Sequence, residues 1–173
     1  MDPLIQINEP APDFDLPDLS GLPHRMASAQ GRVLVLNFWS SDCPWAERGD
    51  EILAELNLAW GDSVEIWSIA SNANETVEQL SLAAADREPG LVLHDADHAV
   101  ADLYGAVTTP HFFVIDGDGV LRYHGALDDT SFRQREPTMN YLKNAVDAVL
   151  TGRNPDPAVT PGYGCTIIRF ALE

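Results

Sequence analysis

The sequence contains only two cysteines, Cys43 and Cys165, and a single lysine, Lys143. Two cysteines are too few for a disulfide-stapled scaffold or for a structural zinc site built from thiolates. The ten basic residues form no cluster and are outnumbered by 27 acidic residues, which gives a net charge of −17. Because such a surface repels phosphates and anionic lipids, we expect no binding to nucleic acid or to a membrane surface.

Long hydrophobic runs are also missing. No segment reaches the roughly 20 apolar residues of a transmembrane helix. Residues 1–10 lack the basic and apolar regions of a secretory signal. These absences predict a cytoplasmic protein. In a reducing compartment a cysteine pair is more often catalytic or inert than structural.

Length and composition favour one domain. A chain of 173 residues with 45% hydrophobic residues can bury a substantial core. We expect residues 1–152 to form this domain and residues 153–173 to form a C-terminal tail packed on it. Neither G-x-G-x-x-G nor G-x-x-x-x-G-K-[ST] occurs, so nothing indicates a dinucleotide-binding or phosphate-binding loop.

Strand and helix patterns alternate along the chain. The apolar runs at 33–39 and 64–70 predict strands that are buried on both faces. Their order with the other elements predicts an α/β domain, in which a mixed sheet carries helices on both faces and follows an N-terminal extension. The other predicted elements are helices at 44–60, 72–87, 96–104 and 137–150, and strands at 91–93, 111–116 and 120–124.

Cys43 lies where the first buried strand turns into a helix that begins at Pro44. A helix N-terminus presents free N–H groups and the positive end of the helix dipole, which favour a nucleophilic thiolate. Asp42 acts in the opposite direction, and Arg48, about one turn along the helix, is placed to offset it. A buried, inert cysteine is the alternative to a catalytic one.

The Thr109-Pro110 pair directly precedes the predicted strand at 111–116. Proline is tolerated at the first residue of a strand. A cis bond at this point would expose the backbone of Thr109 to a ligand. We therefore predict a cis Thr109–Pro110 bond that faces Cys43.

Together these segments resemble the thioredoxin-like superfamily. FWSSDCP is similar to its Phe-Trp strand leading into a nucleophilic cysteine, and TTP is similar to its Thr-Pro pair with a cis-proline. PAPDFDLPDLSG and AVADLYGAVTTPHFFVIDGDGVLRYHGALDD resemble the redoxin branch, the alkyl hydroperoxide reductase/thiol-specific antioxidant proteins. The resemblance covers roughly residues 10–150. It implies a thioredoxin-like mixed sheet and an antioxidant or redox-homeostatic oxidoreductase with Cys43 as the attacking thiolate.

The sequence also departs from the patterns of these families. Ala46 stands at the second cysteine of CxxC, and Asn37 stands at the buried acid of thioredoxins. Ser40 stands where peroxiredoxins carry a threonine that holds the peroxide, but Leu36 replaces their upstream proline. Three functions therefore stay open: a thiol–disulfide oxidoreductase, a thiol-dependent peroxidase with Ser40 positioning the peroxide, and a non-catalytic binding protein.

Cys165 is the other candidate thiol. Its Gly-Cys-x-Ile ending is similar to that of some redoxins with a single cysteine in the CxxC position. This likeness implies that Cys165 resolves a disulfide or sulfenic acid on Cys43, whereas a cysteine packed as an apolar residue is the alternative. For Cys165 to reach Cys43 the tail must dock across the active-site end of the sheet. We expect Ile167, Ile168 and Phe170 to anchor it there.

The resemblance and the local patterns together define a substrate site. We assign substrate binding to Ser40, Pro44, Trp45, Thr109 and Pro110, with Trp45 shielding the sulfur or offering an aromatic surface. The expected partners are a protein or small-molecule disulfide or a peroxide, and an external thiol reductant. No cofactor is expected, and the sequence does not indicate an oligomeric state.

Histidines and nearby acids are weaker candidates. His94, Asp95, Asp97 and His98 have metal-ligating side chains, but Asp95 is more simply a helix cap, so no metal is expected. For His111 two positions are open, one near the thiolate and one facing solvent, and the second is favoured. The predicted strands at 111–116 and 120–124 form a hairpin, and we expect His124 on its surface.

Overall fold

The computed structural model describes residues 5–169. Its central sheet has five strands in the order β5-β4-β3-β7-β8. β3, β4 and β5 run parallel, whereas β7 pairs antiparallel with both β3 and β8. The strands are β1 (Asp15–Pro17), β2 (Pro23–Arg25), β3 (Val33–Trp39), β4 (Val64–Ala70), β5 (Leu91–His94), β6 (Thr108–Thr109), β7 (His111–Ile115), β8 (Leu121–Gly125) and β9 (Cys165–Thr166), and the α-helices are α1 (Pro44–Trp60), α2 (Val77–Arg87), α3 (Ala99–Tyr104) and α4 (Tyr141–Leu150).

The alternation of side chains along β3 builds a hydrophobic layer on each face of the sheet. Leu34, Leu36 and Phe38 pack with α3 and the N-terminal extension. Val33 and Val35 pack with α1 and α4 on the opposite face. The predicted mixed sheet with helices on both faces is therefore confirmed. None of the helices within residues 5–169 is long and apolar enough to cross a membrane.

The helix α2 begins later than the sequence pattern predicts. The pattern places its start at 72–75, but the helix begins at Val77. Thr76 and Gln79 form the capping box, in which each side chain bonds the other residue's backbone N–H. Glu75 is therefore not a capping residue, and its carboxylate is available to the loop before Cys43.

The starts of two further helices also differ from the prediction. α3 begins at Ala99 rather than at 96, and α4 begins at Tyr141 rather than at 137. Asn140 caps α4 by accepting the backbone N–H of Lys143 at 3.1 Å. Pro137 and the exposed polar residues before Asn140 form a loop instead of a first helical turn.

The tail packs along the sheet and returns to its active-site end. Thr160 donates its backbone N–H to the carbonyl of His124 at 3.1 Å, and its Oγ1 accepts the N–H of Ala126 at 2.9 Å. Farther on, β9 pairs antiparallel with β6 and places Cys165 opposite Thr109. A domain boundary at residue 152 stays a prediction.

Of the three expected tail anchors, one is placed as predicted. Ile167 is 3% exposed and packs in the core beside α3. The expectation for Ile168 is wrong, because its side chain is 46% exposed and only its backbone is held, by Asn72 and Ala73. Phe170 lies outside the described residues.

Candidate active site

The two cysteines meet at the N-terminus of α1. Cys43 is the N-cap residue and is 3% exposed. Its Sγ lies 2.9 Å from Sγ of Cys165 and 3.0 Å from the carbonyl oxygen of Thr109. Both cysteines are free thiols. The tail therefore brings the second thiol within reach of the first, as the resolving role requires.

The surroundings of the two sulfurs separate their pKa values. Burial alone would raise the pKa of Cys43, but hydrogen bonds with Cys165, Thr109 and the backbone N–H of Ala46 outweigh burial and lower it. Burial raises the pKa of Cys165 to about 11, and the hydrogen bond and charge of Cys43 and the charge of Asp42 act in the same direction. Cys43 therefore loses its proton more readily than Cys165, which makes Cys43 the nucleophile of the pair.

Arg48 does not act on the thiol as expected. Its guanidinium donates to Asp128 at 2.6 Å and to the hydroxyl of Thr130 at 3.5 Å. The expectation that Arg48 offsets the charge of Asp42 is therefore wrong. The lowered pKa of Cys43 comes instead from hydrogen bonds at the start of α1 and from the tail.

The Thr109–Pro110 bond is cis, which confirms the prediction, and both residues are buried. The carbonyl of Thr109 faces Cys43, whereas the strand position opposite Thr109 is occupied by Cys165. The chain's own tail thus lies where an extended substrate was expected. Substrate binding by Thr109 and Pro110 stays a prediction.

An aromatic cluster lies beside the two thiols. Trp45 follows the exposed Pro44 and is half-buried, with its ring edge-on to Tyr163 at a centroid distance of 4.9 Å. Tyr163 is also edge-on to Phe132 at 5.6 Å, and Phe132 is 88% exposed. Trp45 therefore contacts the tail directly, so the aromatic surface next to the thiols is partly formed by the tail itself.

Glu75 holds the loop that precedes Cys43. The hydroxyl of Ser40 donates to its carboxylate at 3.0 Å, and both the backbone N–H and the hydroxyl of Ser41 donate to it as well. Asn72 adds a fourth donor at 2.6 Å. The hydroxyl of Ser40 is thus engaged by Glu75, and a role in positioning peroxide stays a prediction.

Glu75 was not predicted as a site residue, because Asn72 followed by a glutamate three residues on is typical of a helix start. A topological signal was present, since β3 and β4 are parallel neighbours. The residues that follow parallel neighbours emerge at the same edge of the sheet. The loop at 40–42 and the loop at 71–76 therefore meet.

A second hydrogen-bond network, centred on Arg87, supports the same loop. Arg87 donates to Asp50 at 2.8 Å and to the carbonyls of Ser40 and Ser41 at 3.1 Å each. Its guanidinium also lies 4.7 Å from the ring centroid of Trp39, whose indole N–H donates to Asp50. Burial raises the pKa of Asp50, although hydrogen bonds from Trp39 and the charge of Arg87 oppose it. Side chains from two helices thus hold the end of β3.

The two hairpin histidines are less exposed than expected. His111 is 5% exposed and accepts the N–H of Val107 at Nδ1. His124 is half-buried and stacks on Phe113 at 5.5 Å. The solvent-facing prediction is wrong for His111, because the strand after Pro110 is covered on both faces. Burial lowers the pKa of His111 to about 4 and also lowers that of His124.

Asp95 caps the start of α3 with its side chain, as predicted, although the N-cap residue of this helix is His98. Its carboxylate accepts the backbone N–H groups of Val100 and Ala101 and the hydroxyl of Ser71. Within residues 5–169, no group of three or more His, Cys, Asp or Glu side chains is arranged to hold a metal ion.

The geometry can be compared with known proteins. Residues 7–124 match the AhpC/TSA family. The thiol-disulfide oxidoreductase ResA of Geobacillus thermodenitrificans is 31% identical over 122 residues, which cover 68% of each chain. Among solved structures, a hypothetical protein from Sinorhizobium meliloti is 33% identical with a TM-score of 0.86 and 97% coverage of both chains. A conserved protein from Geobacillus kaustophilus is 26% identical with a TM-score of 0.87, covering 98% of this chain and 95% of that one.

These matches differ in whether they include the C-terminal tail. The family match ends at residue 124, so Cys165 lies beyond it. The two solved structures instead cover nearly the whole chain. The similarity to the redoxin family therefore concerns the part that carries Cys43 and the Thr109-Pro110 pair.

Proposed function

The chain belongs to the AhpC/TSA family and is a thioredoxin-like thiol–disulfide oxidoreductase, and from this premise we propose that its redox couple is the pair Cys43 and Cys165. The observation that carries the proposal is the 2.9 Å distance between the two sulfurs, combined with pKa shifts in opposite directions. This pair takes over the role that CxxC would play in a chain where Ala46 replaces the second cysteine.

The exchange proceeds in two displacements. The Cys43 thiolate attacks one sulfur of a substrate disulfide, forms a mixed disulfide and releases the other half as a thiolate. Cys165, after giving its proton to the departing thiolate, attacks the sulfur of Cys43 and releases the second half of the substrate. The substrate gains two electrons, and the protein is left with a Cys43–Cys165 disulfide. An external thiol reductant returns the two electrons.

A thiol-dependent peroxidase is the second candidate, and the match to the AhpC/TSA family favours it. In that reaction the Cys43 thiolate attacks a peroxide oxygen, which gives a sulfenic acid and releases water or an alcohol. Cys165 then displaces water to form the same disulfide. An antioxidant role belongs to this candidate.

Turnover of two substrates tests the proposal. With dithiothreitol as the electron source, we expect the wild type to reduce hydroxyethyl disulfide and Cys43→Ser to lose the activity entirely. Cys165→Ser should still form a mixed disulfide on Cys43, but its turnover should fall about tenfold. Faster consumption of hydrogen peroxide than of the disulfide would favour the peroxidase.

Peptide mapping after mild peroxide treatment provides a test that does not depend on turnover. A linked Cys43–Cys165 peptide is the expected product. Over-oxidised Cys43 with free Cys165 would contradict the pairing, and equal activities of wild type and Cys43→Ser would favour a non-catalytic binding protein.

Cytoplasmic localisation is part of the proposal, and trapping of free thiols in intact cells tests whether the pair is kept reduced.

A further inference from the structure

The segment that carries Cys165 is fixed at both ends. We call residues 161–166 the strap. Before it, the Oγ1 of Thr160 accepts the N–H of Ala126 and lies 2.8 Å from the hydroxyl of Tyr123. After it, Ile167 is buried in the core and donates its N–H to the carbonyl of Val107 at 3.0 Å. The strap therefore crosses the thiol site as a short bridge between two buried anchors.

The strap lies along the sheet edge expected to bind an extended polypeptide. β9 within it pairs antiparallel with β6, with Cys165 opposite Thr109 and Thr166 opposite Thr108. The approach is so close that only glycine fits at position 164. A Cβ on Gly164 would lie 2.0 Å from the carbonyl oxygen of Thr109. The backbone of the strap thus contacts the backbone of Thr109 directly, and the paired edge of β6 has no room for another strand.

We propose that the strap is an internal substitute for a polypeptide substrate, so the protein acts on low-molecular-mass disulfides and excludes polypeptide disulfides. This inference rests on the proposed function. An edge strand pairs with one partner strand at a time. A polypeptide that pairs with Thr108–Thr109 must displace the whole strap and disturb the anchor at Ile167.

A small disulfide needs far less space. It must reach only the sulfur of Cys43, and Gly162 and Gly164 give the strap the backbone freedom to lift between its anchors. Cys165 is returned to Cys43 when the strap closes, which favours the second displacement. The atoms and electrons balance as in the exchange above, with an external thiol as the reductant.

The ratio of two turnover rates tests the proposal. With dithiothreitol as reductant, we expect wild type to reduce insulin disulfides about tenfold or more slowly than hydroxyethyl disulfide at equal disulfide concentration. Gly164→Ala forces the strap away from Thr109, and Ile167→Ala weakens its anchor. Both variants should raise the ratio of the insulin rate to the hydroxyethyl disulfide rate. Ile168→Ala is the matched control, because its side chain is exposed, and should keep the wild-type ratio.

Each outcome decides the proposal. Equal rates for both substrates in wild type, or an unchanged ratio in Gly164→Ala, would overturn it while leaving the proposed function intact. If neither substrate is reduced and no Cys43–Cys165 peptide forms, the proposed function fails and the inference fails with it. Gly164→Ala does not touch the hydrophobic core, so it decides the matter even if Ile167→Ala does not fold.

Discussion

The Oδ1 of Asn72 accepts a hydrogen bond from the backbone N–H of Ile168 at 2.7 Å. The Nδ2 of the same amide donates to Glu75, whose carboxylate also binds the loop before Cys43. One hydrogen-bond network therefore positions the residues before the first thiol and the residues after Cys165. The alignment of the two sulfurs depends on this network as well as on the core.

Replacement of Glu75 should loosen this network. Because its buried carboxylate accepts four hydrogen bonds, we expect Glu75→Ala to lower the free energy of unfolding by about 2–4 kcal/mol. We also expect faster alkylation of Cys43 by iodoacetamide, since the loop before it loses its support. Urea unfolding and labelling kinetics measure the two effects. Glu78→Ala is the control, because Glu78 is exposed on the first turn of α2, and a loss in Glu75→Ala no larger than in this control would contradict the network.

Local patterns were sufficient to predict the framework of the fold. The strands at 33–39 and 64–70 match the prediction residue for residue, because runs of β-branched and aromatic side chains have few other stable environments. The helix start at Pro44 was also predictable, since proline fits the first helical position. These features fix the place of Cys43 without reference to the rest of the chain.

Features that depend on distant contacts were not predictable. Ile167 and Ile168 cannot both lie in the core, because neighbouring side chains of an extended segment point to opposite sides. His111 is polar and begins a strand, but its burial is decided by the neighbouring strands and the tail. The pairing of Cys165 with Cys43 came from a family resemblance, and only the path of the tail brings the sulfurs together.

The hydrogen bond from Cys165 should control the pKa of Cys43. It is the largest influence that lowers this pKa. We therefore expect Cys165→Ala to raise the pKa of Cys43, as measured by thiolate ultraviolet absorbance against pH. Cys165→Ser is the matched control, since its hydroxyl keeps a donor beside the sulfur, and it should give the smaller rise. A higher pKa in the serine variant than in the alanine variant would contradict this assignment.

Burial of His111 should make the protein less stable in acid. Its pKa falls from 6.5 to about 4 in the folded state, so the unfolded state binds more protons between these values. Stability is therefore expected to fall as the pH drops through this window, by roughly 3 kcal/mol from this group. His111→Phe should flatten the pH dependence of the unfolding free energy between pH 4 and 6.5. A titration of the His111 imidazole near pH 6.5, observed by NMR in the folded wild type, would refute the prediction.

Removal of the amide of Asn37 should stabilise the protein. Asn37 is fully buried in β3, and within the described part of the chain neither its Oδ1 nor its Nδ2 has a hydrogen-bond partner. Unpaired buried polar groups cost free energy, and valine is a β-branched residue that suits a central strand. We therefore expect Asn37→Val to raise the free energy of unfolding by about 1–3 kcal/mol in urea titrations.

The neighbouring strand offers a control for Asn37→Val with the opposite expected sign. Ser68 lies opposite Asn37 in the pairing of β3 with β4 and is equally buried, but its hydroxyl donates to the carbonyl of Pro89 at 3.1 Å. Ser68→Ala removes a satisfied hydrogen bond and should lower stability by about 1 kcal/mol. Burial alone would give both substitutions the same sign, so opposite signs attribute the difference to hydrogen bonding. A loss of stability in Asn37→Val would contradict the prediction and indicate that the amide bonds a buried water molecule, as otherwise unpaired polar groups in protein interiors commonly do.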